Sequence, residues 1–225
     1  MLDLDWSSIP GALPFLWAGM LTTLEITCVA VIAGLAWGTL LALARPSPYR
    51  PLRLCATAYI NLFRSIPLVM VLLWFFLVVP SLLESLLGIA RSADTRLYSA
   101  MLAFALFEAA FYAEIMRAGV MSVPGGQLAA ACALGLSRAA AMRLVVLPQA
   151  LRNMLPLLLT QGIILFQDTS LVYVSALADF FGAAYKVGDR DGRLVELLLF
   201  AGAVYFVLCF CASLLVRRLH RGIAR

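Results

Sequence analysis

The sequence predicts an all-α membrane protein with five transmembrane helices. Of its 225 residues, 64% are hydrophobic and only 13% are charged, whereas soluble domains average about 45–50% and about 25%. Apolar stretches long enough to cross a bilayer also recur along the chain. A water-soluble globule, a disordered chain and a nucleic-acid-binding domain are therefore disfavoured, although the net charge is +5.

Five stretches reach the roughly 20 apolar residues that a bilayer core of about 30 Å requires. They lie at about 19–44, 57–83, 97–120, 153–178 and 195–216, within a transmembrane domain of 19–217. Turn-forming residues separate them, including three prolines in 45–51 and the Gly-Asp-Arg-Asp-Gly at 188–192. Residues 1–18 and 218–225 are left as terminal segments. Because two acids precede the first apolar run, we expect no cleavable signal peptide.

The distribution of charge predicts the orientation of these helices. If the N-terminus is outside, the inside segments hold ten bases and no acid, and the outside segments hold five bases and seven acids. The inside bases are Arg45, Arg50, Arg53, Arg138, Arg143, Arg152, Arg217, Arg218, Arg221 and Arg225. The outside bases are Arg91, Arg96, Lys186, Arg190 and Arg193, and the outside acids are Asp3, Asp5, Glu84, Asp94, Asp179, Asp189 and Asp191. The positive-inside rule therefore favours an outside N-terminus and an inside C-terminus.

Two kinds of small residue call for a structural interpretation. Gly34 and Gly38 have the spacing that lets a second helix approach closely, although ordinary packing is the alternative. Five cysteines lie mostly in apolar surroundings, and a single histidine, His220, lies among arginines. We therefore expect the cysteines to pack as small hydrophobes rather than form disulfides or a metal site.

The segment 121–152 lies inside and is far longer than the usual connection of 2–8 residues between bundled helices. It is rich in Ala and Leu and carries Gly135 and Pro148. This pattern predicts two short helices that meet at a glycine bend, with a stop at Pro148. A hairpin that only joins two membrane helices remains the alternative.

Several charged residues lie in or at the edges of the predicted membrane helices. Glu25 and Arg64 can reach an interface, whereas Glu108 and Asp168 lie near helix centres, where a charge costs roughly 2.5–3.5 kcal/mol. Glu114 and Arg117 are three residues apart, close enough to pair. Either these groups pair for structural reasons, or Glu108 and Asp168 line or gate a polar path.

The sequence lacks the motifs of the commonest enzyme classes. The only lysine, Lys186, is not part of a phosphate-binding loop, so ATP hydrolysis by a Walker site is excluded. No nucleophile–histidine pair or metalloprotease helix is present either. Among the non-enzymatic classes, an ion-coupled secondary transporter or channel and a purely structural membrane subunit are left open.

The inside loop resembles the signature of permeases of ABC importers. That signature is a Glu-Ala-Ala-like triplet, a glycine four residues later, and an aliphatic-x-Leu-Pro. The matching residues here are Ala129, Ala130, Ala131, Gly135, Val145, Leu147 and Pro148. Ala129 stands in place of the Glu, which puts in doubt any salt bridge that the Glu would make. Segments 59–75, 107–120 and 155–181 are similar to permeases for polar amino acids. With residues 5–10 and 188–192 added, the chain resembles, nearly end to end, the permeases of bacterial glutamate/aspartate importers.

The resemblance implies a five-helix type I importer permease in the bacterial inner membrane, with a periplasmic N-terminus and a cytoplasmic C-terminus. It implies that loop 121–152 docks into a cytoplasmic ABC ATPase dimer, which binds ATP and Mg, while this chain binds no cofactor. It further implies a second, related permease subunit and a periplasmic amino-acid-binding protein. The candidate path or gating residues are Arg64, Glu108, Glu114, Arg117 and Asp168, and the binding protein is expected to select the substrate.

Overall fold

The computed structural model describes residues 4–87 and 93–223, and all regular secondary structure in them is helical. The α-helices are α1 (Ser8–Ala44), α2 (Arg50–Ser65), α3 (Leu68–Leu87), α4 (Ala93–Met121), α5 (Gly125–Ala133), α6 (Arg138–Ala141), α7 (Leu147–Asp168), α8 (Phe180–Asp191) and α9 (Leu194–Ile223). A π-helical turn at Met142–Val146 joins α6 to α7, and a 3₁₀ segment at Thr169–Ser175 follows α7. Asp3, Arg91 and Arg225, which enter the charge count above, lie outside the described residues.

Five helical stretches of the described chain are long and apolar enough to cross a membrane, which confirms the predicted number. They lie at Ser8–Ala44, Leu68–Leu86, Thr95–Met121, Arg138–Ser175 and Leu194–Leu219. Their ends differ from the predicted ones, and the largest differences are at the first, second and fourth helices. The first helix begins at Ser8, well before the predicted start, and Pro14 lies within it.

The predicted second span, 57–83, is divided between two helices. Pro67 disfavours helical geometry at the residue before it, and Ile66 is extended, with φ −109° and ψ 136°. Helix α2 therefore ends at Ser65, and the membrane helix α3 begins at Leu68. Helix α2 packs Ala56 and Ile60 against α1 and α4.

The predicted stop at Pro148 is wrong, because helical structure continues through this residue. In a regular α-helix the proline ring would clash with the carbonyl four residues earlier. Here the preceding turn is π-helical, and the Leu147 N–H donates to the Met142 carbonyl, five residues back. Pro148 then occupies the first turn of α7, where a missing N–H costs little. The second half of loop 121–152 is consequently continuous with the fourth membrane helix.

The most extensive helix contact is between α1 and α4, and the two predicted glycines lie in it. A Cβ on Gly34 would lie 3.3 Å from the Ala105 carbonyl oxygen, and one on Gly38 would lie 2.8 Å from that of Ala109. The prediction of close helix approach at these glycines is confirmed. A step of four residues along α1, from Gly34 to Gly38, moves the contact four residues along α4, from Ala105 to Ala109. The two helices therefore run in the same direction.

The N-terminal segment packs against the turn between α8 and α9. Asp5 forms an ion pair with Arg193, and its N–H donates to the Glu196 carboxylate at 3.2 Å. Further along α1, a Cβ on Gly19 would lie 2.7 Å from the Asp179 carbonyl oxygen. The N-terminus and residues 179–196 therefore share one end of the bundle, and the C-terminal ends of α1 and α4 lie at the other.

Candidate functional site

After α4 the short helix α5 ends at a glycine bend, as predicted, whereas the second predicted short helix is the start of the helical run that continues into α7. The Leu136 N–H donates to the Ala131 carbonyl at 3.2 Å, and the Gly135 N–H donates to the Cys132 carbonyl at 3.0 Å. This is a Schellman motif, with Gly135 in the position that needs a positive φ. Its φ is +91°. The Ser137 side chain then caps α6 by accepting from the Ala140 N–H at 3.2 Å.

The loop is held at its base and exposed at its tip. Val123, Val146 and Ala150 form a small buried cluster beneath it, and the Asn153 amide donates to the Ser122 hydroxyl at 2.8 Å. Of the predicted loop residues, Ala131 is buried, Val145 is half-buried, and Ala129, Ala130, Gly135, Leu147 and Pro148 are exposed. The loop therefore projects from the bundle as a preformed knob.

Leu134, next to the bend, is the functional candidate that the sequence reasoning missed. Its side chain is 87% exposed, more than any other large hydrophobic residue among those described. Leu134 directly precedes Gly135, and this apolar residue beside the predicted bend was the signal that the sequence offered. Together with the exposed Ala129 and Ala130, Leu134 gives this part of the loop an apolar and accessible surface.

A cluster of charges lies at the same end of the bundle, centred on the Glu114 carboxylate. Arg117 pairs with it, which confirms the predicted pairing. Arg45, from the end of α1, also pairs with it, and an Arg64 nitrogen lies 3.7 Å from the same carboxylate. The Arg64 guanidinium also lies 5.9 Å from the centre of the Phe111 ring. Three cations and one anion thereby connect α1, α2 and α4.

Glu108 lies apart from this cluster, in the packed interior between α1, α4 and α7. It has no exposed surface, and the Gln161 amide donates to its carboxylate at 3.0 Å. One turn along α4, the Tyr112 hydroxyl is buried without a hydrogen-bond partner in the described chain. Glu108 therefore faces other helices of its own chain rather than an opening.

Asp168 has a different environment from Glu108, although the sequence reasoning treated them alike. It lies seven residues after Gln161, on the same face of α7, and its side chain is half-buried. Thr160 and Gln167 on this helix are exposed at membrane depth. The exposed side chains in the middle of α9, such as Phe206 and Phe210, are instead apolar. Helix α7 thus exposes polar groups among apolar side chains such as Leu157 and Leu159, whereas the middle of α9 exposes apolar ones.

Comparison with known proteins agrees with this geometry. Residues 30–225 match the model of the family described as binding-protein-dependent transport system inner membrane component. The chain belongs to this family. It is 57% identical to the glutamate/aspartate import permease protein GltK of Escherichia coli O157:H7, with 100% of both chains covered. It is also 32% identical to the arginine transport system permease protein ArtQ of Bacillus subtilis, over 98% of this chain and 97% of the relative.

Chains of solved transporter structures have the same fold. The crystal structure of an amino acid ABC transporter with histidines contains a chain with a TM-score of 0.88 and 32% identity, covering 98% of this chain and 99% of that one. A chain of the MetNI methionine ABC transporter has a TM-score of 0.73 at 22% identity, covering 94% and 97%, which shows the fold alone.

Family membership fixes the general role of the chain. It is a multi-pass inner-membrane permease, a translocation subunit rather than an enzyme, and the family implies a partner ATPase and a binding protein. An ion-coupled transporter or channel is not supported by these matches.

Proposed function

We propose that this chain is a permease subunit of an ATP-driven importer of glutamate and aspartate. The observation that carries the proposal is the 57% identity, over the full length of both chains, to a glutamate/aspartate import permease. ATP and Mg would bind to the partner ATPase, because this chain has no phosphate-binding loop.

The knob around Gly135 is the proposed contact with the ATPase dimer. It combines a defined backbone turn, the exposed alanines Ala129 and Ala130, and the apolar tip Leu134. Val145, Leu147 and Pro148 connect this knob to the fourth membrane helix. Closure of the ATPase dimer would therefore move α7 directly, which is the coupling that an ATP-driven importer needs.

The polar side of α7 is the proposed lining of the translocation path. Polar groups at membrane depth are stable only against protein or water, so Gln167 and Asp168 require a neighbour other than lipid. The Thr160 hydroxyl, on the same side, already donates to the Pro156 carbonyl at 2.8 Å. A second, related permease chain would supply the other wall of the path. Glu108, buried one helix away, would act as a gating or positioning residue rather than contact the substrate.

The charge cluster has a separate role in this proposal. Glu114 ties Arg45, Arg64 and Arg117 together at the end of α4 that leads into the knob. We assign it to holding α1, α2 and α4 in register while the knob moves. The end that carries residues 5 and 193–196 would face the periplasm, where it would meet the binding protein.

The test is uptake of radiolabelled amino acids by cells that lack the chain and by cells complemented with it. Loss of glutamate and aspartate uptake, with glutamine and arginine uptake retained, is the expected result. Asp168→Asn should lower uptake without lowering membrane abundance, whereas Glu25→Asn, an exposed acid on α1, serves as the control. Retained acidic amino-acid uptake in the deletion strain would contradict the proposal.

A further inference from the structure

An open cleft lies at the end of the bundle that holds the N-terminus, between the 3₁₀ segment after α7 and helix α8. Its volume is about 330 Å³, at the lower end of the roughly 300–1,000 Å³ of small-molecule sites. Tyr173, Leu177, Tyr185 and Lys186 are among its lining residues. The cleft therefore has the size of a site for one small solute and contains a cation.

Among the described residues, Lys186 differs from the neighbouring cations because its charge acts on the buried Asp179 carboxyl without forming an ion pair. On the same helix Arg190 pairs with Asp191. Just after the helix ends, Arg193 pairs with Asp5. Within the part of the chain that the structure describes, no carboxylate lies within ion-pair distance of the Lys186 ammonium. Its hydrogen bond there is a long one, of 3.4 Å, to the Ala176 carbonyl. This cation can accept an anionic ligand without breaking an existing ion pair.

Aromatic rings line the cleft beside Lys186. The Tyr173 and Tyr185 ring centres lie 5.8 Å apart, and the Phe181 ring lies 5.0 Å from Tyr173. Both tyrosines are more than a third exposed. Tyrosine faces attract ammonium groups, whereas the lysine attracts carboxylates. The cleft thus offers partners for both kinds of charge on a free amino acid.

The backbone fixes the shape of the cleft at Ala176. This residue has a φ of 59°, the only positive φ among the described non-glycine residues. The turn directs the Ala176 carbonyl towards Lys186 and ends the helical run that carries Asp168. The cleft consequently opens at the head of the proposed polar side of α7.

We propose that this cleft is an outer carboxylate site, which holds the acidic amino acid after the binding protein releases it and before it passes along α7. The Lys186 ammonium binds the side-chain carboxylate of the substrate, which glutamine lacks, and the tyrosine faces receive the substrate ammonium group. This inference rests on the proposed function, since it presumes an acidic substrate. A concave site of this volume suits a free amino acid better than the surface of a docked protein.

The first test uses the fact that Lys186 is the only lysine of the chain. The assembled transporter, reconstituted in nanodiscs without binding protein, is treated with an amine-reactive ester, and acylation of Lys186 is followed by peptide mass spectrometry. Millimolar glutamate or aspartate should slow acylation of Lys186, and glutamine at the same concentration and ionic strength, whose amino group consumes the ester equally, should slow it less. Absence of protection, or equal protection by glutamine, would overturn the proposal.

The second test measures ATP-dependent uptake into proteoliposomes with saturating binding protein. Lys186→Met should lower glutamate uptake by about tenfold, roughly the effect of one hydrogen bond to a charged group. Lys186→Arg should retain most of the activity. The matched control is Arg190→Met, which removes a cation from the same helix outside the cleft and should have little effect.

The outcomes separate this proposal from the function on which it rests. If wild-type transporter carries glutamate while Lys186→Met is unimpaired, the carboxylate site is refuted and the function stands. If substrate-free binding protein protects Lys186 as well as glutamate does, the cleft is a protein contact and the proposal is again wrong. If the wild type carries only other amino acids, the proposed function itself fails.

Discussion

Replacing Gly135 by alanine is the sharpest test of the knob. A Cβ at this position would meet nothing within 4 Å, so the substitution acts through the backbone alone. The φ of +91° costs an L-residue about 1–2 kcal/mol. That cost lowers the population of the docking conformation by roughly 5–30-fold.

The assay is reconstitution of purified Gly135→Ala permease complex with its ATPase, read as the ATPase concentration that gives half-maximal ATP-dependent uptake. We expect this concentration to rise by a factor within the same range. Gly126→Ala is the matched control, because Gly126 also has open space around it and does not have a positive φ. Gly135→Asn should restore part of the loss, since asparagine tolerates positive φ better than alanine.

A result in which Gly135→Ala and Gly126→Ala behave alike would refute this reasoning. It would mean that the turn can change its conformation without affecting the ATPase. The membrane abundance of each variant must be equal for the comparison to hold, and quantitative immunoblotting establishes this.

Three further predictions concern stability in detergent. Gly38→Ala should lower the free energy of unfolding by about 1–3 kcal/mol, because its Cβ would lie 2.8 Å from the Ala109 carbonyl oxygen. Gly11→Ala, which has open space on the same helix, should leave the stability unchanged in the same thermal scan. Glu114→Gln should lower the free energy of unfolding by at least about 1 kcal/mol, since three arginines lose their counter-ion, and Glu25→Gln should not. Burial raises the pKa of Asp179 to about 7, so the folded state retains a proton that the unfolded state loses near pH 4. The thermal midpoint should therefore fall as pH rises between about 4 and 7, and Asp179→Asn should weaken this dependence; a wild-type midpoint that rises over that range would contradict it.

The parts of the fold that depend on local pattern were predictable from the sequence. Runs of apolar residues gave the five membrane helices, because a bilayer imposes a minimum length. Gly34 and Gly38 indicated a close helix contact, and Gly135 indicated a bend, because in each case the absence of a side chain is the physical requirement. The loop signature led to the family, which the comparisons confirmed.

The parts that depend on context were not predictable. Both Pro67 and Pro148 are helix breakers in principle, but only Pro67 interrupts a helix, since a π-helical turn precedes Pro148. The pairing of Arg45 with Glu114 joins residues 69 positions apart, which no local spacing reveals. Glu196 was not recognised among the charges at the membrane edges, although it is buried and accepts from the Asp5 N–H.

The roles of Glu108 and Asp168 could not be separated from the sequence for the same reason. Each is a lone acid in an apolar stretch, and the spacing to neighbouring charges is uninformative. The difference arises from packing, since Gln161 on α7 meets Glu108 while Asp168 lies at a half-buried position. Tertiary contact alone decides which acid is enclosed.

The continuity of helical structure from Arg138 to Ser175 has a mechanical consequence. At about 1.5 Å per residue this rod is about 57 Å long, nearly twice the roughly 30 Å of a bilayer core. One end lies next to the knob and the other borders the cleft of Lys186. A stiff rod that pivots within the membrane moves its two ends in opposite directions. A force applied at the knob would therefore tilt the wall of the cleft without any relay of side chains.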